Sequence, residues 1–324
     1  MCKRICFSLV MGVLLVSLVS VDSFSQEKFP SQPIRIVATH AAGGTTDVPI
    51  RVFQPFAQKA LGVPVVIENM VGGGGNTARA FVFKQKPDGY TLLGTKQPSM
   101  SGGEIVQGGK FESLKFVAVF NIAGKNYNCL AVPYDSPLKT LDDLKKASAS
   151  KPLITAGPGI GTNAYMFAML LKRYVGINVE YVPFDSGADA ALALAGGKTQ
   201  IGVGNLENYW PLHEQKKARI LATAGPERDE THRQFPTVVE QGYPQVSLDE
   251  MTGLFAPPGL PKDRLEILIK GFTKAAAEPE FKAAALKANL TLLPLAGDDY
   301  YKASKAMHES VKGMEDILKA GVSK

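Results

Sequence analysis

The sequence predicts an α/β fold built in two halves. Three observations carry that expectation. Short β-branched runs end in glycine-rich turns, and each turn opens a stretch whose apolar residues fall at helical spacing. The same order of strand, turn and helix occurs near the start of the chain and again in its middle. The 324 residues are enough for two units, each with its own core, even after an export signal is removed.

In the first half, residues 34–38 read as a strand that runs into Gly43-Gly44-Thr45-Thr46-Asp47. Residues 48–61 then carry Phe53, Phe56, Ala57 and Ala60 on one helical face. Pro49 suits the first turn of that helix, and Pro55 predicts a kink within it. A second strand over 63–69 leads into glycines 72–75 and a helix to about 84. The turn Lys86-Pro87-Asp88-Gly89 precedes a third strand over 90–94.

The middle of the chain repeats this grammar. Strands are predicted over 128–132, 153–156, 179–183, 201–203 and 220–223. Between them lie a capped short helix over 140–146, a helix over 164–174, and an Ala-rich helix over 188–195 closed by Gly196-Gly197. The C-terminal part turns helical, over 261–277, 279–289 and 298–320. No solenoid period or low-complexity tract is visible.

Bulk properties narrow the class. Lys3 and Arg4 precede the uncharged apolar stretch 5–21, and Ser23-Phe24-Ser25 offers small residues for cleavage. Residues 1–25 therefore read as a signal peptide and not as a membrane anchor, which predicts a free periplasmic protein. Only Cys129 follows that segment, so no internal disulfide is expected. Its run Cys129-Leu130-Ala131-Val132 predicts a buried small hydrophobe. The formal net charge is +6, from basic residues scattered along the chain without aromatic clustering. That pattern argues against a nucleic-acid surface and suits small anionic ligands.

Four loops share one character: residues 43–47, 72–77, 157–163 and 184–187 follow strands and open helices. A helix N-terminus offers unpaired N–H groups and partial positive charge, and glycines let backbone approach a ligand. Opposed ends of this kind make a carboxylate or phosphate site with few charged side chains. The structural alternative is that Thr46 or Asp47, and Thr162 or Asn163, merely cap their helices.

Catalytic motifs are missing. Glycines 72–75 lack the Lys-Ser/Thr of a phosphate-loop ATPase, and Gly157-Pro158-Gly159-Ile160-Gly161-Thr162 lacks the last glycine of a dinucleotide fingerprint. No nucleophile-elbow motif occurs. The four histidines have no metal-ligand spacing, so neither metal nor cofactor is expected. His213, His232 and His308 are expected at the solvent face, whereas His40 directly precedes the first glycine loop.

The order of these segments resembles the substrate-binding proteins of tripartite tricarboxylate transporters, the Bug (TctC-like) family. The likeness spans nearly the whole chain. It begins at Phe29-Pro30-Ser31-Gln32-Pro33-Ile34-Arg35-Ile36-Val37 and Ala42-Gly43-Gly44-Thr45-Thr46-Asp47. It continues through Val65-Val66-Ile67-Glu68-Asn69, Gly73-Gly74-Gly75-Asn76 and Pro87-Asp88-Gly89-Tyr90. Gly159, Gly161, Thr162, Val182-Pro183-Phe184 and Asn205 follow, then Phe235-Pro236-Thr237 and Gly253-Leu254-Phe255-Ala256-Pro257-Pro258-Gly259.

The resemblance implies two Rossmann-like lobes with mixed, mainly parallel sheets, closing like a Venus flytrap. Residues 26–123 with 252–324 are expected to form lobe 1, and 124–251 lobe 2. It further implies a monomer that holds a small organic acid through backbone N–H groups and hydroxyls, then delivers it to membrane transporter subunits. The expected ligand contacts are His40, Gly43, Gly44, Thr45, Thr46, Asp47, Gly74, Asn76, Thr77, Lys96 and Gln97 from lobe 1. Those from lobe 2 are Gly159, Gly161, Thr162, Asn163, Phe184, Asp185, Ser186 and Asn205.

The chain departs from the family pattern at His40, at Lys96-Gln97, around Asp185 and at Gly204. A cleft-facing Asp185 would repel a second ligand carboxylate and favour a donor at the ligand's far end; the alternative is that it faces solvent or caps the next helix. Two rival functions are kept: an enzyme using Asp47 or His40 as acid–base groups, and a receptor feeding a signalling partner.

Overall fold

The computed structural model describes residues 28–108, 110–125 and 127–322; the expected signal peptide lies outside them. The first part of the chain forms β1 (Ile34–Ala38), α1 (Asp47–Leu61), β2 (Val65–Asn69), α2 (Asn76–Phe83), β3 (Thr91–Gln97), α3 (Ser99–Gln107) and β4 (Val117–Gly124). The middle forms β5 (Asn128–Pro133), α4 (Leu141–Ser148), β6 (Leu153–Pro158), α5 (Asn163–Leu170), β7 (Val179–Phe184) and α6 (Gly187–Ala195). It continues with β8 (Ile201–Asn205), α7 (Leu206–Glu214) and β9 (Ala218–Thr223). The last part holds β10 (Met251–Ala256), α8 (Lys262–Ala277), α9 (Pro279–Lys287), α10 (Gly297–Lys312) and α11 (Glu315–Ala320).

These strands make two five-stranded sheets, ordered β2-β1-β3-β10-β4 and β7-β6-β8-β5-β9. In the first, β1 runs parallel to β2 and β3, and β10 is antiparallel to β3 and β4. In the second, β6 runs parallel to β7 and β8, and β5 is antiparallel to β8 and β9. Both sheets thus place two parallel neighbours around the strand that precedes a glycine loop. The crevice beyond such a switch point, at the strands' C-terminal ends, is where α/β sheets bind ligands.

Each lobe has its own core. In the first, the α1 residue Phe53 stacks on Phe120 of β4 at 5.5 Å and meets Phe281 of α9 edge-on at 5.1 Å. Pro55 sits inside α1 without ending it. In the second lobe, every residue of α5 is buried. A helix apolar on all sides must be enclosed on all sides, and here sheet, α3 and α11 enclose it. Cys129 is fully buried and free, and burial pushes its thiol pKa well up.

The structure adds elements the sequence pattern did not reveal. Residues 99–107, for which no element was expected, form α3 despite Gly102 and Gly103. Strand β10 hides behind Gly253, where a Cβ would come within 2.6 Å of the Phe120 carbonyl and the Tyr300 hydroxyl. Strand β4 and helix α7, which holds Pro211, were also missed. The helix expected over 298–320 breaks at Gly313 into α10 and α11.

One expectation is corrected. Of the histidines expected at the solvent face, His232 is buried: it is 9% exposed, lies edge-on to Trp210 at 4.6 Å and pairs with Asp229 at 3.1 Å, while His213 and His308 are half-buried. His213 stacks on Trp210 and accepts the Ile220 N–H, while His308 bonds to Ser101. The end of the 252–324 segment packs on both sides, with α10 against β4 and α3. Val311 and Leu318 join the second lobe's core, and the Tyr165 hydroxyl donates to the Leu318 carbonyl at 2.5 Å.

Candidate functional site

Between the two sheets lies a cavity of about 130 Å³. Five helices begin on its wall. Helix α1 contributes Gly44, Thr45 and Thr46, and α3 contributes Ser99. Helix α5 supplies Thr162, Asn163 and Ala164; α6 supplies Ser186, Gly187 and Ala188; α7 supplies Asn205 and Asn208. Each N-terminus carries about half a positive charge and N–H groups its own helix cannot use.

Local chemistry fixes these ends. The Thr162 hydroxyl accepts from the Tyr165 N–H at 3.4 Å, and Ser186 accepts from the Asp189 N–H at 3.1 Å. Asp47, fully buried, accepts from the Gly43 N–H at 2.9 Å, from Asn69 Nδ2 at 2.7 Å and from Arg51 Nε at 2.5 Å. Burial works to raise the Asp47 pKa, but these three donors outweigh it and hold the carboxyl below its ordinary 3.8. Asp47 therefore shapes the 43–47 loop from behind.

A group depressed on folding stabilises the fold above its unfolded pKa and loses that contribution as pH falls through the folded value. Asp47→Asn is accordingly expected to lower the unfolding midpoint at pH 7, and the gap from the parent protein should narrow below the ordinary 3.8. A melting series from pH 7 to pH 2 checks this; a gap that stays constant across the series counts against it.

His40 lines the cavity with Nδ1 near two hydroxyls, Thr39 at 2.9 Å and Thr46 at 3.0 Å. Burial, then the nearby charges of Arg79 and Lys96, lower its pKa to about 3. The ring is neutral at ordinary pH, and the hydroxyl contacts suit a proton on Nε2. Arg79 is fully buried beneath the glycine turn, where Nη1 donates to the Gly74 carbonyl at 3.0 Å and to Asn76 Oδ1 at 2.9 Å. Burial lowers its pKa to about 9, which still leaves it charged.

On the cavity wall Lys96 Nζ donates to Thr45 Oγ1 at 2.9 Å, to Asn205 Oδ1 at 3.3 Å, and to Glu250 Oε1. Asn205 Nδ2 also donates to Glu250 Oε1, at 2.9 Å. Burial pushes the Glu250 pKa up, and the Lys96 charge opposes that. Thr45 donates to Asn205 at 3.1 Å, and Ser99 donates to Asn163 Oδ1 at 3.0 Å, so both pairs bridge the lobes.

Of the expected contacts, His40, Gly43, Gly44, Thr45, Thr46, Lys96, Thr162, Asn163, Ser186 and Asn205 line this cavity. Gly74, Gly159, Phe184 and Asp185 line a second, more open cavity of about 650 Å³. His40 and Pro158 belong to both walls. Asp185 is exposed there, away from the inner cavity.

Asp47, Asn76, Thr77, Gln97 and Gly161 line neither cavity. Asn76 holds the Gly103 carbonyl, Gln97 accepts from Ser101, and Gly161 lies against the backbone of Gly102 and Gly103. Thr77 sits against Gly72. Sequence reasoning missed Ser99, Asn208 and Glu250 on the inner wall. Ser99 and Asn208 open helices that were themselves unrecognised, and Glu250 has no local signal because Lys96 is 154 positions away.

Two α/β lobes facing one cavity walled by helix N-termini define a two-lobed solute-binding protein. Among the described residues no helix is long and apolar enough to cross a membrane. Residues 50–320 match the tripartite tricarboxylate transporter family receptor, TctC, and the chain belongs to that family. It is 31% identical to the UPF0065 protein in the gbd 5' region of Cupriavidus necator, over 92% of this chain and 90% of that one. It is 25% identical to the protein BugT of Bordetella pertussis, over 77% and 78% of the two chains. Among solved structures it is similar to MatC of Rhodopseudomonas palustris with bound malate, with a TM-score of 0.78 and 26% identity over 90% of this chain and 100% of that one.

Proposed function

We propose that this protein is a periplasmic receptor that captures one small carboxylate-bearing molecule between its lobes and passes it, unaltered, to the membrane subunits of a tripartite tricarboxylate-type transporter. The observation that carries the reading is the meeting of five helix N-termini, from both lobes, on one cavity. Asn163 adds a buried side-chain donor, because its Nδ2 has no partner among the described residues. A carboxylate would satisfy these groups. A cavity of about 130 Å³ suits a short-chain acid and excludes a bulky one. The malate in MatC is in keeping with a ligand of this size.

Catalysis is disfavoured on chemical grounds. A general base needs a pKa near the working pH and a free lone pair. His40 is too weak a base, and Asp47 is committed to three donors. The chain leaves the first sheet after Gly124 and returns to it at Met251, and these two crossings are the proposed hinge between lobes 26–123/252–324 and 124–251.

The test is a thermal-shift panel of short organic acids, followed by mass spectrometry of the recovered ligand. A ligand at 100 times its Kd adds about 2.7 kcal/mol to stability. A saturable rise in melting temperature with the acid recovered intact supports the reading. Failure of every carboxylate to stabilise the protein, or chemical consumption of the one that does, would overturn it.

A further inference from the structure

The Lys96–Glu250 pair assigns a polarity to the cavity that the helix ends alone do not. A lysine ammonium has three N–H donors. All three are spent within the chain, on Thr45, Asn205 and Glu250. The strongest cation on the wall therefore has no donor left for a ligand, and its charge is matched by a carboxylate in direct contact.

Glu250 is differently placed. Its side chain is 2% exposed and lines the same cavity. Its Oε1 takes both Lys96 and Asn205, whereas no donor from the described residues reaches Oε2. A carboxylate oxygen on the cavity wall without a donor from the chain is a strong acceptor awaiting one, and it repels a second oxyanion brought against it. Asn163 Nδ2, elsewhere on the wall, is an unpartnered donor. The cavity thus offers donors at the helix ends and an acceptor at Glu250.

Building on the receptor reading above, we infer that Glu250 is a specificity-determining residue that selects monocarboxylates bearing a hydroxyl or ammonium donor at the far end, and that it discriminates against dicarboxylates. Lys96 acts as its positioning residue by holding Oε1. Asp185, which sequence reasoning cast in this role, sits on the outer cavity and is not needed for it.

The experiment is calorimetric titration of the purified protein with four matched series of three to five carbons: ω-hydroxy acids, ω-amino acids, plain monocarboxylates and dicarboxylates. In the parent protein a donor-bearing acid should bind roughly tenfold tighter than the plain acid of equal length. The dicarboxylate should bind more weakly than either. Glu250→Gln keeps an oxygen for Lys96 and Asn205 and turns an amide donor toward the cavity. It should reverse the order, with the dicarboxylate gaining at least about tenfold relative to the donor-bearing acid.

Dicarboxylates binding tightest to the parent protein would overturn the inference, and so would an order unchanged by Glu250→Gln. Either outcome leaves the carboxylate reading standing. A protein that binds none of the four series removes that reading, and this inference with it. The ranking in the parent protein decides the matter even where the variant does not fold.

Discussion

Gly102→Ala is expected to leave the protein folded and to weaken ligand binding by at least about tenfold. Gly102 lies inside α3 with ordinary helical geometry, and alanine there favours the helix by about 1 kcal/mol over glycine. Its Cβ, however, would sit 2.3 Å from the carbonyl oxygen of Gly161, on the other lobe. That atom is backbone and cannot swing aside. The lobes can avoid the clash only by parting, which opens the cavity whose walls they share.

Overpacking of this kind costs about 1–3 kcal/mol, and 1.4 kcal/mol is a factor of ten in affinity. Measuring the melting temperature without ligand, and affinity by calorimetry, separates the two effects. Unchanged affinity would mean that the contact between Gly102 and Gly161 is irrelevant to binding. Gly159 makes a similarly close approach, with a Cβ 2.4 Å from Gly74 Cα, but its positive φ of 33° would add backbone strain to any substitution. Gly102 is the cleaner test for that reason.

Lys96→Met is expected to destabilise the fold by about 3–5 kcal/mol, the loss typical of a buried carboxylate deprived of its counter-ion. Glu250 would be left buried with only Asn205 to hold it. Lys96→Met combined with Glu250→Leu should recover most of that loss, since apolar residues of similar volume often replace a buried pair without penalty. Urea unfolding of the parent, both single variants and the double variant forms a complete cycle. A double variant whose loss of stability equals the sum of the two single losses would show that the two residues are not coupled.

The alternation of strand, glycine turn and helix was readable because it depends on neighbours in the chain. The strands β1 and β2, helix α1 and the loops at 43–47 and 157–163 all declared themselves through spacing and residue type. So did the capping box at Thr140 and Asp143, which ties two residues three positions apart. The loop at 72–77 was expected to contact a ligand, but only its glycines 72–75 reach a cavity, and that is the outer one. Asn76 and Thr77 turn away because Asn76 is taken by Arg79 and Gly103.

Helix α3 shows why the rest could not be read. Two glycines in Ser99-Met100-Ser101-Gly102-Gly103 signal a loop when only local preference is weighed. They are needed because Gly102 meets Gly161 and Gly103 meets Asn76, at separations no side chain tolerates. A glycine chosen for a distant contact looks, in sequence, like a glycine chosen for a turn.

The sequence by itself determined the α/β class, the resemblance to solute receptors and the glycine loops that open the helices, because each depends on residues a few positions apart. Only the tertiary structure decided which of those loops share the inner cavity, that Asp47 supports the site from behind, and that Lys96 faces Glu250. Those outcomes rest on contacts between groups far apart in the chain, where one side chain's chemistry is set by a partner that no local pattern names.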